Sequence, residues 1–281
     1  MTLETKSLWK SHGGNQGVYT HLSEACACPM TFAVYVPPHR EGEKLPVLWY
    51  LSGLTCTHAN VMEKGEYRAA AAEHGVIVVC PDTSPRGEGV PDEAGNWQLG
   101  CGAGFYVDAT EKPWSANYRM YSYVTSELPG VVAAHFPMAD MERQSVFGHS
   151  MGGHGALVAA LRNPQHYRSC SAFAPIVRPA KAEWARGAFT AYLGANEASW
   201  TAWDAVALIG NGARLPELLV DQGSADTFLE QGLRPWLLEE ACAEAGIPLT
   251  LRMQEGYDHS YFFISTFMAE HIAWHAARLR R

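Results

Sequence analysis

The 281-residue sequence predicts an α/β fold: a mostly parallel central sheet flanked by helices, preceded by antiparallel N-terminal strands. Two patterns predict it. Short, continuous apolar runs at residues 47–51 and 76–80 have the signature of strands buried on both faces. Longer amphipathic stretches alternate with them, as crossover helices do between parallel strands. Composition agrees, because 47% apolar and 18% charged residues suffice for a sizeable core. The expectation is one domain over residues 1–281, with no repeat, linker or low-complexity segment.

In chain order, the first 40 residues read as strands. Gly13-Gly14-Asn15 marks a turn, residues 31–36 are rich in β-branched and aromatic side chains, and Pro37-Pro38 closes the block. Shorter apolar runs at 145–147 and 218–220, and the segment 249–253, complete the predicted sheet. Helices are expected at 60–73 with a stop at Gly75, at 118–136 with a break at Pro129, and at 153–162, 234–245 and 261–280. The Gly/Pro-rich stretches 81–104 and 175–194 read as long loops. In an open α/β sheet such loops gather beyond the carboxyl ends of the strands, where ligands bind.

Bulk properties exclude several function classes. A net charge of −8 with no basic run beyond the Arg278–Arg281 tail argues against nucleic acid, and that tail is suited to a helix C-terminus. Residues 1–6 lack the apolar core of a signal peptide, and no run is long enough to cross a bilayer, so a soluble, cytoplasmic protein is expected. Seven dispersed cysteines suggest free thiols in a reducing compartment. Cys26 and Cys28 form the only close pair. With no second ligand pair at zinc spacing, no metal site is expected.

The sharpest chemical signal is Gly148-His149-Ser150-Met151-Gly152, between an apolar run and a helical pattern. A nucleophilic serine must stand on a turn so tight that its neighbours carry little bulk. Gly148 and Gly152 meet that need, and Gly153 allows close helix approach. An ordinary Gly-rich turn is the bland alternative. A serine hydroxyl also needs a base and an orienting acid, and where such a turn carries the nucleophile the chain order is Ser, acid, His. His166 is too near Ser150 in sequence. His271 and His275, four apart, suit the surface or packing face of the last helix. His259, on a loop after 249–253, is the base. Asp221 and Asp226 both follow 218–220 and either could orient it, whereas Asp258 would have to fold back on its neighbour. The backbone N–H groups of Met151 and Leu54, the latter on the loop after 47–51, are the candidate oxyanion donors.

Ser52-Gly53-Leu54-Thr55-Cys56-Thr57, the GHSMGGHGAL run 148–157, Asp221-Gln222-Gly223 with Asp226, and Tyr257-Asp258-His259-Ser260-Tyr261 together resemble the S-formylglutathione hydrolases, or esterase D family. Residues 81–87 and 102–123 are similar too, so the resemblance spans nearly the whole chain. It implies an α/β-hydrolase fold and hydrolysis of S-formylglutathione to glutathione and formate, the closing step of formaldehyde detoxification, without metal or organic cofactor. It further implies Asp226 as the acid, Leu54 and Met151 as oxyanion donors, a thiol-sensitive position at Cys56, and a homodimer. The chain departs from the family at Arg178-Pro179, over 180–188, and at 96–100, where Gln98 replaces an acid. These departures bear on the thiol side of the substrate. Arg86, Arg178, Lys181 and Arg186 are candidate partners for glutathione's carboxylates, and Trp97, Trp184 and Phe228 a candidate apolar wall. The rival readings are a broad small-acyl carboxylesterase, an acyltransferase, and a non-catalytic binding protein on the same fold.

Overall fold

The computed structural model describes residues 2–280. Met1 and Arg281, the outer ends of the two terminal segments considered above, lie outside them. Among the described residues, nine strands form one sheet: β1 (Leu3–Ser11), β2 (Gly14–Ser23), β3 (Cys28–Val36), β4 (Leu45–Leu51), β5 (Ile77–Pro81), β6 (Ala139–His149), β7 (Cys170–Phe173), β8 (Leu218–Gly223) and β9 (Leu249–Gln254). Their spatial order is β1-β2-β3-β5-β4-β6-β7-β8-β9. The strands β1 to β3 pair antiparallel, β3 joins β5 antiparallel, and every pairing from β5 through β4 to β9 is parallel. All seven residues of β4 and all five of β5 are buried, as their unbroken apolar runs require.

The helices are α1 (His58–Lys64), α2 (Tyr67–His74), α3 (Met120–Ser122), α4 (Leu128–His135), α5 (Met151–Arg162), α6 (Glu183–Leu193), α7 (Ala205–Gly210), α8 (Pro235–Ala245) and α9 (Tyr261–Leu279). The helix expected over 60–73 is two helices, because Glu66 turns left-handed (φ 53°) after Gly65 and breaks the ladder. Gly75 does stop the second, in a left-handed cap. The expected interruption near Pro129 takes the form of a π-helical stretch, Tyr123–Glu127, immediately before α4. Proline lacks the N–H of an ordinary turn, and the wider turn ahead of it absorbs the mismatch.

Residues 175–194 are not simply a loop. They hold α6, whose Ala185, Ala188, Phe189, Tyr192 and Leu193 are buried at helical spacing. The short strand β7 had no counterpart in the sequence reading. Neither His271 nor His275 lies on the surface; both are fully buried where α9 packs on the sheet.

The chain order reverses direction across the sheet at β4, which sits between β5 and β6. Crevices at such reversals, beyond the carboxyl ends of the strands, are where ligands bind in open α/β sheets. The pairings Leu51↔Gly148, His149↔Phe173 and Phe173↔Asp221 keep those ends level. The loops after β4, β6, β8 and β9 therefore open onto one place.

Candidate active site

Ser150 occupies the turn between β6 and α5 with φ 57° and ψ −117°, a conformation costing about 1–3 kcal/mol for a non-glycine residue. Neighbouring contacts hold it there. Its N–H donates to the Phe173 carbonyl at 2.9 Å, and its carbonyl accepts from Ile176 N at 3.2 Å. A Cβ on Gly152 would meet the Leu51 carbonyl oxygen at 1.9 Å, and one on Gly148 would meet the Gly152 oxygen at 2.3 Å. Both glycines are thus demanded by backbone against backbone. A Cβ on Gly153 would meet the Pro175 ring Cβ at 2.9 Å and its Cα at 3.0 Å.

His259, on the loop between β9 and α9, places Nδ1 at 2.6 Å from Asp226 Oδ2. The Asp226 side chain is fully buried and also accepts from Phe228 N at 2.8 Å and Gln222 Nε2 at 3.1 Å. A neutral His259 therefore carries its proton on Nδ1, leaving Nε2 as an acceptor. Ser150 and His259 line the same pocket, with no hydrogen bond joining them among the described residues, a separation common before substrate tightens such a site.

Asp221, the alternative acid, points elsewhere. Its oxygens receive Arg252 at 2.5 Å twice, Gln254 at 3.2 Å and His271 at 3.1 Å. Burial pushes its carboxyl up, but the hydrogen bonds from His271 and Arg252 outweigh that and hold it below the usual range.

The pocket measures about 220 Å³ and is lined by Gly53, Leu54, Thr55 and Cys56 of the loop after β4, by His149 and Ser150, and by aromatic side chains. These rings form a chain, Trp97 to Trp184 at 6.0 Å, Trp184 to Phe228 at 6.3 Å, Phe228 to His259 at 5.0 Å, and His259 to His149 at 4.3 Å between centroids. The Trp184 indole can lie there because residue 232 is glycine, where a Cβ would meet the indole at 2.5 Å. The Leu54 amide makes no hydrogen bond to the described residues. Met151 opens α5, so its N–H has no partner in its own helix. Neither N–H has a backbone partner among the described residues, and Leu54 lines the same pocket as Ser150.

His149 and Gln222 were not singled out from sequence. Burial, with His259 beside it, drives the His149 pKa well down, so the ring is neutral. Gln222 follows Asp221 in β8, and strand alternation sends the two side chains to opposite faces. Once the strand register is known, that alternation separates Gln222, which bonds Asp226, from Asp221, which faces away.

The remaining candidates divide. Arg86 does not line the pocket. Its guanidinium is spent on Asp82 at 3.0 Å, the Cys101 sulfur at 2.7 Å and the Cys56 carbonyl at 3.0 Å, which braces the loop carrying Leu54. Arg186 pairs with Glu197. Lys181 lies in a separate groove beyond Trp184. Cys56 lines the pocket, but burial raises its thiol pKa above the ordinary value. Cys26 and Cys28 are free thiols that contact different methionine sulfurs, of Met120 and Met30. No cluster of three or more His, Cys, Asp or Glu side chains suited to a metal occurs among the described residues. No helix there is long and apolar enough to cross a membrane.

The sheet order, the strained serine turn and the loops converging on it define a protein of the α/β-hydrolase fold. A family model described as "Putative esterase" matches residues 23–274. An S-formylglutathione hydrolase from Paracoccus denitrificans is 55% identical over 281 residues, covering 99% of this chain and 100% of the relative. One from Mus musculus is 53% identical over 282 residues, 99% of each chain. A solved structure of an S-formylglutathione hydrolase from Agrobacterium tumefaciens superposes with a TM-score of 0.96 at 63% identity, covering 98% of this chain and 99% of the other. The chain belongs to this esterase family, in its S-formylglutathione hydrolase branch.

Proposed function

We propose that the protein hydrolyses S-formylglutathione to glutathione and formate, with Ser150 as nucleophile, His259 as base and Asp226 as orienting acid. The observation that carries this reading is the 2.6 Å His259–Asp226 bond opening onto the same small pocket as a serine held at positive φ. Ser150 Oγ attacks the formyl carbon while His259 Nε2 takes its proton. The oxygen of the tetrahedral adduct lies between the Leu54 and Met151 amides, which are worth most where charge develops. Collapse breaks the C–S bond, and His259 returns the proton to the departing glutathione sulfur. Water then adds to the formyl ester of Ser150 by the same route, giving formate and the free serine. Every step is acid–base and acyl chemistry, so it calls on no metal or organic cofactor.

A pocket of 220 Å³ walled by Trp97, Trp184 and Phe228 favours a very small acyl group. Cys56, in the wall beside the Leu54 donor, is the position where a thiol reagent would obstruct the site by bulk, since its raised pKa gives it no special reactivity. One continuous sheet from residue 3 to residue 254 supports a single domain. Exposed Leu8, Trp9 and Leu22 on the N-terminal strands, with Phe262 on α9, support a homodimer. The free thiols support a reducing, cytoplasmic setting.

The test is kcat/KM for S-formylglutathione beside p-nitrophenyl acetate and a long-chain p-nitrophenyl ester. A preference for the thioester of about 10³-fold or more, worth about 4 kcal/mol, is expected. Equal rates on all three would make the protein a generalist carboxylesterase.

A further inference from the structure

The catalytic pocket, at about 220 Å³, is smaller than the ~300 Å³ where sites for whole small ligands usually begin. It can take the formyl thioester end, and the tripeptide carrier must lie outside it. Across Trp184, which lines both spaces, runs a second, wider groove of about 600 Å³. Its walls hold two cations, Lys181 and Arg234, two acids, Glu183 and Glu230, and two amides, Gln98 and Gln231. Trp97 in the pocket and Gln98 in the groove are consecutive, so little more than one side chain divides the two.

We propose that this groove binds the glutathionyl carrier, with Lys181 and Arg234 receiving its two carboxylates and the Glu183–Glu230 pair its α-ammonium. This assignment rests on the reading of S-formylglutathione as the substrate. Glutathione in thioester form carries two carboxylates for the two cations, one ammonium for the acid pair, and two peptide amides for the two glutamines. An extended tripeptide spans roughly 10 Å, enough to pass beyond one indole.

The other loop cations are unsuited. Arg86 is held by Asp82, Arg186 by Glu197, and Arg178 lines neither space. By contrast Lys181 and Arg234 make no ion pair among the described residues. Arg234 sits between the π-helical turn Leu229–Leu233 and α8 at φ 48°, a left-handed position that favours glycine or asparagine. Its Nε donates to the Glu230 carbonyl at 2.8 Å, which fixes the stem and leaves the terminal nitrogens for a ligand. Lys181 ends a 3₁₀ turn just before α6, the helix that carries Trp184. Both cations are thus attached to elements that also shape the pocket wall.

The experiment compares the full-length wild type with Lys181→Gln, Arg234→Gln and the double variant. Each is assayed on S-formylglutathione and on p-nitrophenyl acetate, which has no carrier. S-Methylglutathione is then titrated as an inhibitor of p-nitrophenyl acetate turnover. The double variant is expected to raise both KM for S-formylglutathione and Ki for S-methylglutathione about tenfold, two part-exposed charge pairs being worth that much together. Its kcat on the thioester and its kcat/KM on p-nitrophenyl acetate should stay within about twofold, and Arg234→Lys should recover most of the single-site loss. Unchanged KM and Ki, or a parallel fall on both substrates, would overturn the assignment. Wild type that hydrolyses S-formylglutathione but is not inhibited by S-methylglutathione would overturn the groove alone. Wild type that hydrolyses only p-nitrophenyl acetate would overturn the substrate reading, and the groove with it.

Discussion

At the carboxyl edge of the sheet His259 bonds Asp226 beside Ser150; one layer below, His271 bonds Asp221 at 3.1 Å and Ser171 at 2.8 Å. The residue types are the same in both arrays, and the chemistry they can do is not. Ser171 lies within the regular strand β7 and is fully buried. Its oxygen also meets His275 at 2.7 Å, and His275 continues through Ser169 to Ser145. His271 stacks on Phe173 at 3.9 Å, and Asp221 also accepts two hydrogen bonds from Arg252 at 2.5 Å. The lower array is a closed polar seam fastening α9 to the sheet. The upper one has a serine lifted on a turn, an imidazole with a free nitrogen, and a pocket in front. Backbone conformation and access, rather than composition, separate a candidate catalytic array from a structural one.

Substitution should break the two arrays differently. Ser150→Ala should lower kcat on S-formylglutathione by about 10⁶-fold with unchanged stability, as loss of a nucleophile does. Asp226→Asn should lower it by about 10⁴-fold, because an amide there favours the wrong imidazole tautomer. In the lower array the effects should move to stability. Asp221→Asn should cost about 3 kcal/mol in urea unfolding, since it strips a buried partner from Arg252 and His271, while Ser150 still turns over substrate at close to the wild-type rate.

Acid should strike the buried histidines first. Burial, partly offset by a hydrogen bond with the Phe105 carbonyl, lowers the His154 pKa to about 4, and His271 and His275 are lowered by burial as well. The unfolded chain, with histidine near 6.5, binds these protons first. Stability is therefore complete above about pH 6.5 and is lost as pH falls toward 4, with His154 alone contributing about 2 kcal/mol of loss between pH 7 and pH 5. Urea midpoints at the two pH values check this. The smallest effect expected is in the upper array's support. Gln222→Leu removes one hydrogen bond to Asp226 and should cost about tenfold in kcat with little change in KM.

Much of this was legible in the sequence. Unbroken apolar runs marked β4 and β5, and the glycines around Ser150 marked the turn, because only backbone contact at 1.9–2.3 Å makes glycine obligatory there. Position after a strand end marked His259. The two aspartates could not be separated by pattern, since both follow β8, and strand alternation that sends Asp221 toward α9 acts only once the register is known. Helix α6 was hidden by Pro175, Pro179, Gly187 and Gly194, which punctuate the segment although the residues between bury one face. The lower array was invisible because His271 and His275 at helical spacing look the same whether they face water or a row of buried serines.

Fluorophosphonate labelling followed by peptide mapping of the adduct distinguishes Ser150 from Ser171 as the nucleophile. Native protein should carry a single phosphonylated residue, Ser150, with full labelling in Ser171→Ala and none in Ser150→Ala. An adduct on Ser171, or labelling that survives Ser150→Ala, would contradict Ser150 as the nucleophile.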